Sequence, residues 1–450
     1  MTDLTDIVTG VLEHAVGEEQ LEAYAVHRIS TTIQAGADAA IRHVGRAETR
    51  GLGIRVIRDG RLGYASTSDL DSAAIRLTVE RARANAAASD VDQAQHLPTP
   101  EVAESAEGFL HPSFAQASLA EKIDLVQDLA RGVVSLDRQV KSLDTAEYHD
   151  EQRNVAVAST GGVQVVHEAG YVELWADALG EDTHARGSDY AYQFARIPAD
   201  CDPDSLAHVA VQRTLRLLGP VSPYRTPLPV VLDPAVVADL LSAIGKGLSG
   251  GPVSSGRTPF ARRAGTTVAA GCVSLADDGW SLSSPEAAAY DDEGLPRRRT
   301  QLISDGVLVG ALHSTVTAKA AGDSAEPTGN ARRGSYKSVP RAAATSLVLE
   351  PTISRSELLA SVDEAVYIQQ LSGSGAGINP VTGRVDVGGV GWLLRNGEVV
   401  GRLDTVPIAT DLLGFLTSVL AVGDDSYPVP FSSAAASTLL CDSWLIGSDH

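Results

Sequence analysis

Four tight-turn dipeptides interrupt runs of alternating apolar and polar residues, and this pattern restricts the fold more than anything else in the chain. Asp59-Gly60 divides RGLGIRVIRDGRLGYAST (50–67). Gly161-Gly162 separates NVAVAST (154–160) from VQVVHEAGYVELWADALG (163–180). Asp305-Gly306 and Asn396-Gly397 sit inside RTQLISDGVLVGALHS (299–314) and VGGVGWLLRNGEVVGR (387–402). Alternation at period two marks half-buried strands, and Asp-Gly or Asn-Gly between such runs marks a two-residue hairpin. Hairpins join antiparallel neighbours, so most of the sheet is expected to be antiparallel.

Helical signals fall between these runs. Residues 4–16 read as an amphipathic helix, followed by a strand over 22–36. A second helix from about Asp69 places Ile75, Val79, Ala82 and Ala86 on one face. Ser118-Leu119-Ala120-Glu121 has the form of a capping box and opens a third, with Ile123, Val126, Leu129 and Val133 inward. Asp204 to Leu218 reads as a fourth, stopped by Gly219-Pro220. The Pro-, Asp- and Gln-rich stretch 89–117 reads as a long surface connection. A short strand, 228–232, leads through Asp233-Pro234 into an apolar helix over 234–248. The expected class is α+β. A helix and antiparallel-sheet domain (1–220) precedes a larger, mainly antiparallel β domain (221–450).

Composition excludes some functions. With 36 basic and 57 acidic residues the net charge is −21, which argues against a nucleic-acid binder. No apolar run approaches the ~18 residues of a membrane helix. The acidic N-terminus does not read as a signal peptide. Three cysteines, Cys201, Cys272 and Cys441, are odd in number and far apart, which fits a reducing cytoplasm. A cytoplasmic protein is therefore expected, with neither membrane nor nucleic acid as a partner. Gly51-Leu52-Gly53 lacks the third glycine of a dinucleotide loop and runs on as a strand.

Four segments resemble the TldD/PmbA family (also TldD/TldE): 51–70, GLGIRVIRDGRLGYASTSDL; 290–322, beginning YDDEGLPRRRT; 327–336, PTGNARRGSY; and 375–403, beginning GAGINPVTGRVD. They occur in the family's order and span nearly the whole chain. The resemblance implies two kinds of subunit. One holds zinc through the two histidines of HExxxH on the helix equivalent to 234–248, with a distant cysteine. The other, TldE/PmbA-like, lacks these ligands. At the three motif positions this chain carries Leu241, Ser242 and Lys246. No cysteine lies in VGDDSYPVPF (422–431), where the ligand is expected, and Cys441 reads as a core thiol in a buried strand.

The resemblance therefore implies no catalytic or metal-ligating residue and no cofactor in this chain. Zinc is expected in a TldD-like partner, the two forming a heterodimer that hydrolyses peptides or small amides. The alternatives are a self-sufficient homo-oligomeric amidase or deacylase of secondary metabolism, with a homodimer in place of the heterodimer, and a scaffold with no active-site role. His167-Glu168 starts like a zinc motif, but Tyr171 stands where the second histidine is required, and a surface position on a hairpin is expected. Asp291, Asp292 and Glu293 read as a solvated turn. Arg257, Arg262, Arg263, Arg297, Arg298, Arg299, Arg332, Arg333, Lys337 and Arg341 crowd the middle of an acidic chain. They suggest a positive strip facing substrate or partner. Within it Asn330, Arg332, Arg333 and Tyr336 are the expected substrate-binding residues, on a segment suited to adding a strand to an extended peptide.

Overall fold

The computed structural model describes residues 3–105, 107–222, 227–322 and 324–443. The chain starts with helix α1 (Leu4–Leu12), then strands β1 (Gln20–Ala35), β2 (Ile41–Arg58) and β3 (Arg61–Thr67). Helices α2 (Ser72–Ala88) and α3 (Leu119–Leu136) follow, then β4 (Val140–Ser159), β5 (Gln164–Glu181), β6 (Arg186–Ala195) and α4 (Pro203–Leu215). The six strands form one antiparallel sheet in the order β3-β2-β1-β4-β5-β6. Leu21, Ala23, Leu52, Ile54, Ala156 and Ala158 face α1 and α2. Further along the same face, Tyr148, Leu174 and Ala176 pack against α3 and α4. All four helices therefore cover one side of the sheet. The opposite side faces the rest of the molecule.

The second half has two sheets around a central helix. Strand β7 (Val230–Leu232) feeds helix α5 (Pro234–Gly247). Next come β8 (Leu275–Asp278), β9 (Arg299–Ser304), β10 (Val307–Leu308), and the short pair β11 (Ala331–Arg332) and β12 (Arg341–Ala342). After β13 (Leu347–Leu349) follow β14 (Glu364–Ser372), β15 (Arg384–Arg395), β16 (Glu398–Arg402) and β17 (Val406–Asp411). The last strands are β18 (Val419–Val422), β19 (Tyr427–Pro428), β20 (Ala434–Ala436) and β21 (Leu439–Cys441). One sheet runs β10-β9-β8-β13-β20-β19 and the other β16-β15-β14-β7-β21-β18, with β17 on β15. Only β13–β20 and β14–β7 are parallel among the described strands. Helix α5 packs between β13 and β20 on one side and β14 on the other. Val237, Leu241 and Ile244 point into that core.

The three Asp-Gly and Asn-Gly hairpins form as expected. Asp59, Asp305 and Asn396 and the glycine after each have positive φ, 52 and 70°, 47 and 80°, 50 and 80°, as a type I′ turn requires. The capping box is present too, with Ser118 Oγ accepting from Glu121 N and the Glu121 carboxylate accepting from Ser118 N. Two expectations change. The strand expected over 50–67 begins at Ile41, because β2 runs nine residues further as a charged, exposed edge along β1. Its arginines and glutamate carry no alternation to read, yet they protect an unpaired edge. The connection 89–117 is not simply on the surface. Leu97, Phe109 and Phe114 are buried, and Phe109 meets Trp280 edge-on at 5.5 Å.

A buried charge network joins the two halves. Glu22 (β1) lies between Arg55 (β2), at 2.5 Å, and Arg333, which follows β11. Arg55 donates its other branch to Glu293 at 2.9 Å. Arg333 also lies 4.7 Å from the centre of the Tyr24 ring. The Asp291–Glu293 triplet is thus not a solvated turn. Asp291 accepts three backbone N–H groups, of Glu293, Leu295 and Ala331, and Asp292 accepts the N–H of Arg333. Glu293 also takes the N–H of Thr315. All three residues are buried. Burial alone would disfavour charge on Arg55, but Glu22 and Glu293 outweigh it.

The Gly51-Leu52-Gly53 sequence belongs to this contact. The Tyr336 ring lies over Gly51, and a Cβ there would fall on its carbons. At Gly53 it would strike the Tyr64 hydroxyl and the Tyr336 carbonyl, between which a 2.7 Å hydrogen bond runs. The glycines allow close approach of the second half.

Removing one partner from a buried pair leaves the others uncompensated. Arg55→Ala is therefore expected to destabilise the fold by about 3–5 kcal/mol, read as a lower urea midpoint.

Candidate functional site

The open face of the first sheet and helix α5 enclose a cleft. Residues on β5 alternate, so Tyr171, Glu173, Trp175 and Asp177 all project into it, over roughly 20 Å at about 3.4 Å per residue. Two cavities lie along it, and a third adjoins them past the β6 edge, against α4. The largest, about 520 Å3, is lined by Glu147, His149, Tyr171, Glu173, Ser242, Lys246, Glu286 and Arg332 among others. The second, about 360 Å3, shares Trp175, Val429 and Phe431 with it and adds Asp177, Tyr190 and Asp239. The third, about 280 Å3, shares Tyr190 with the second. The cleft is long enough for an extended chain of several residues.

Helix α5 presents its degenerate positions to this cleft unequally. Asp233 caps it, accepting from Ala235 N at 3.1 Å, and Pro234 fills the first turn. Leu241 points away from the cleft into the core. Ser242 and Lys246, one turn apart, line the cleft wall. The Ser242 hydroxyl is 2.8 Å from that of Ser432. Lys246 is exposed. A catalytic zinc needs about three imidazole, thiolate or carboxylate donors and an open position. A hydrocarbon, a shared hydroxyl and an ammonium do not fit it. Among the described residues no group of three His, Cys, Asp or Glu is placed to hold a metal. Cys441 lies fully buried in β21, and burial pushes its thiol up to about 12.

The opposite wall is polar and aromatic. Burial pushes the Glu173 carboxyl up, and Tyr192 donates to it at 2.8 Å. Glu147 accepts from Gln34 at 2.6 Å. Phe431 roofs the passage between the first two cavities, edge-on to Trp175 at 6.5 Å. It is 99% exposed with φ of +58°, a conformation that disfavours a bulky side chain. The loop around it is held by Ser432 N donating to Val429 O and Val429 N to Ala434 O.

The four expected binding residues divide. Arg332 lines the cleft, paired with Glu286 at 2.6 Å and donating to Ala344 O. Asn330 is buried and donates to Asp277 at 2.6 Å, in the same knot as Thr345. Arg333 is committed to Glu22, and Tyr336 to Gly51 and Gly53. Around β11 the main chain is occupied by Asp291, Asp292 and β12, which leaves no free edge there for an added strand. The basic residues do not form a continuous strip. Arg298 pairs with Glu101, Arg299 with Glu350 and Asp278, and Arg297 is buried. His167 is not on the surface. It is buried 6.0 Å from the Tyr290 ring, and neither ring nitrogen has a hydrogen-bond partner among the described residues. Burial, reinforced by Arg153, pushes its pKa down to about 3.

Trp175, Glu173 and Phe431 were not anticipated as site residues. The alternation of YVELWAD (171–177) showed that these side chains share a face. Nothing local showed that the 429–433 loop, some 250 residues later, would close over them.

Comparison with known proteins fits this geometry. Family descriptions for the PmbA/TldA metallopeptidase match in three parts: domain 1 over residues 21–86, the central domain over 112–218 and the C-terminal domain over 225–448. The first two share the six-stranded sheet. The metalloprotease PmbA of Escherichia coli O157:H7 is 23% identical over 427 residues, covering 94% of this chain and 91% of its own. A metalloprotease TldD homolog of Buchnera aphidicola is 26% identical over 395 residues, covering 83% and 79%. TldE from Thermococcus kodakarensis superposes with a TM-score of 0.86 at 20% identity, covering 98% of each chain. A Thermotoga maritima protein described as a candidate modulator of a DNA gyrase gives 0.88 at 22%, covering 98% and 99%. At these identities the structural likeness speaks for the fold alone.

Two outcomes follow from the site's geometry. Phe431→Gly relieves the positive φ and removes no buried surface. It is expected to leave urea stability unchanged or raise it by up to about 1 kcal/mol, read as the urea midpoint. His167 binds its proton less well folded than unfolded. Its contribution is present above the ordinary imidazole pKa of about 6.5 and is lost as pH falls toward the folded value of about 3. The urea midpoint of His167→Gln should therefore fall less between pH 6.5 and 4 than that of the unaltered chain.

Proposed function

This chain is a member of the PmbA/TldD metallopeptidase family, and from that premise we propose that it is the zinc-free, TldE/PmbA-like subunit of a peptide or amide hydrolase. The observation that carries the reading is α5. It keeps its cap, its packing and its place on the cleft wall, yet offers Leu241, Ser242 and Lys246 where ligands are needed. No hydrolytic step runs through this chain. Its residues bind and orient: Trp175 and Phe431 hold the middle of an extended substrate, and Arg332, Lys246, Glu147 and Glu173 set the charge around it. Bond cleavage falls to a TldD-like partner with an intact HExxxH, the two chains closing the cleft into a chamber. The expected complex is a heterodimer acting on peptides or small amides in the cytoplasm.

The self-sufficient amidase has weaker support. Ser242 and Lys246 share the cleft wall, as a nucleophile and its base would. A serine nucleophile needs that base within hydrogen-bond reach. Here the Ser242 hydroxyl is engaged by Ser432, and Lys246 makes no bond to it among the described residues.

Co-expression with the HExxxH family member from the same genome tests the proposal. A stable two-chain complex is expected, with peptide hydrolysis absent from either chain alone and zinc bound by the partner. Stoichiometric zinc and turnover from the lone chain would overturn it.

A further inference from the structure

The third cavity differs from the other two in what its walls offer. Arg213, Arg216 and Arg355 line it, with Tyr190 and Tyr427, against Asp233 and Asp425. Two of the three guanidinium groups are answered. Arg213 donates to Asp233 at 3.0 Å, and its Nε lies 2.9 Å from Asp189, a charge contact too poorly aligned for a hydrogen bond. Arg355 reaches Asp425 at 3.1 Å. Arg216 has no hydrogen bond or ion pair from its side chain among the described residues. It lies over the Trp392 ring at 5.6 Å, and Trp392 is stacked in turn on Tyr367 at 4.1 Å. Burial disfavours its charge, so an unanswered cation sits there at a cost.

The acceptors of the cavity are already used. Asp233 takes Arg213, the Tyr367 hydroxyl at 2.9 Å and Ala235 N. Asp425 takes the N–H and hydroxyl of Thr438 as well as Arg355. The donors are not. The fork of Arg216 and the hydroxyls of Tyr190 and Tyr427 have no partner among the described residues. A lining whose carboxylates are engaged and whose one free charge among the described residues is the Arg216 guanidinium favours an acceptor-rich, anionic ligand. A planar guanidinium lying over an indole ring, with its fork free, matches the two oxygens of a carboxylate.

We propose that the Arg216 pocket is an oxyanion subsite at the end of the cleft, seating the terminal carboxylate of a peptide that runs past Tyr190. The assignment rests on the cleft being the substrate site of this subunit. It adds direction: the substrate's C-terminus lies toward α4 and its upstream residues toward Trp175 and Phe431. Arg216 and Arg355 thereby become specificity determinants for substrates with a free end.

Calorimetry on the lone chain at low salt tests it with acetyl-Ala-Ala-Ala, its C-terminal amide and inorganic phosphate. The free acid is expected to bind about tenfold or more tighter than the amide, as for hydrogen bonds to a charged group. That preference should disappear in Arg216→Gln and shrink in Arg355→Gln, which leaves Arg216 and its contact with Trp392 in place. Circular dichroism checks that both variants fold. Phosphate binding that also depends on Arg216, with acid and amide equal, keeps the oxyanion site and assigns it to phosphate. Equal binding of acid and amide with no phosphate binding, or a preference unchanged in both variants, overturns the proposal. A lone-chain result of that kind leaves the two-chain hydrolase standing, and failure of the pair to assemble leaves the pocket standing.

Discussion

Glu22 holds the molecule together. It sits in the first long strand, between a cation from the neighbouring strand and a cation from the second half of the chain, with water excluded from all three. Charges so enclosed are stable only as a set, because each removes the burial penalty of the others. The set therefore fixes more than a contact. It fixes how the open face of the first sheet lies against the second half, and hence the width of the cleft between β5 and α5. Tyr64, Tyr336, Gly51 and Gly53 act in the same place by shape, letting two backbones approach where side chains would keep them apart.

Away from this junction the sheet is free to be polar. Beyond Val26 and Val155 its open face changes from apolar packing to Arg28, Arg153, His149, Glu147 and Glu173. The same strands thus carry a sealed contact at one end and a lined groove at the other. The groove is not uniform. Mixed charge surrounds Lys246 and Arg332, carboxylates flank Trp175 in the middle, and spare guanidinium donors close the far end. The charge offered by the walls thus changes from one end of the groove to the other.

Much of the fold could be read along the sequence because it rests on local rules. Asp59-Gly60, Asp305-Gly306 and Asn396-Gly397 needed positive φ and announced it. Ile75, Val79, Ala82 and Ala86 repeat at the helical period and are buried as that period requires. Family resemblance, and not local rules, drew attention to Leu241, Ser242 and Lys246 on α5. The site itself was harder. Asp291 to Glu293 look like a turn because three carboxylates are costly to bury, and only partners such as Arg55, far away in sequence, reverse that. Arg333 looked like a surface cation for the same reason. Its neighbour Arg332, identical in type, does reach the cleft. Their different fates are set by partners distant in sequence, Glu286 for Arg332 and Glu22 for Arg333.

The strand pairing of the second half constrains how the chain is made. Strand β7, near residue 230, is flanked by β14 and by β21, about 130 and 210 residues later. The first sheet needs nothing beyond β6 for its own pairing, so it can form early during synthesis, whereas β7 waits with both edges bare until β14 emerges and with one edge bare until β21 does. Long-range pairing of this kind is slow and exposes edges to neighbours. The acid groups that close the junction, Asp292 and Glu293, arrive in that interval, and until then Glu22 and Arg55 face water. The nascent polypeptide is thus most vulnerable to aggregation late in translation, and a ribosome stalled before residue 439 would release a molecule with its central sheet unfinished.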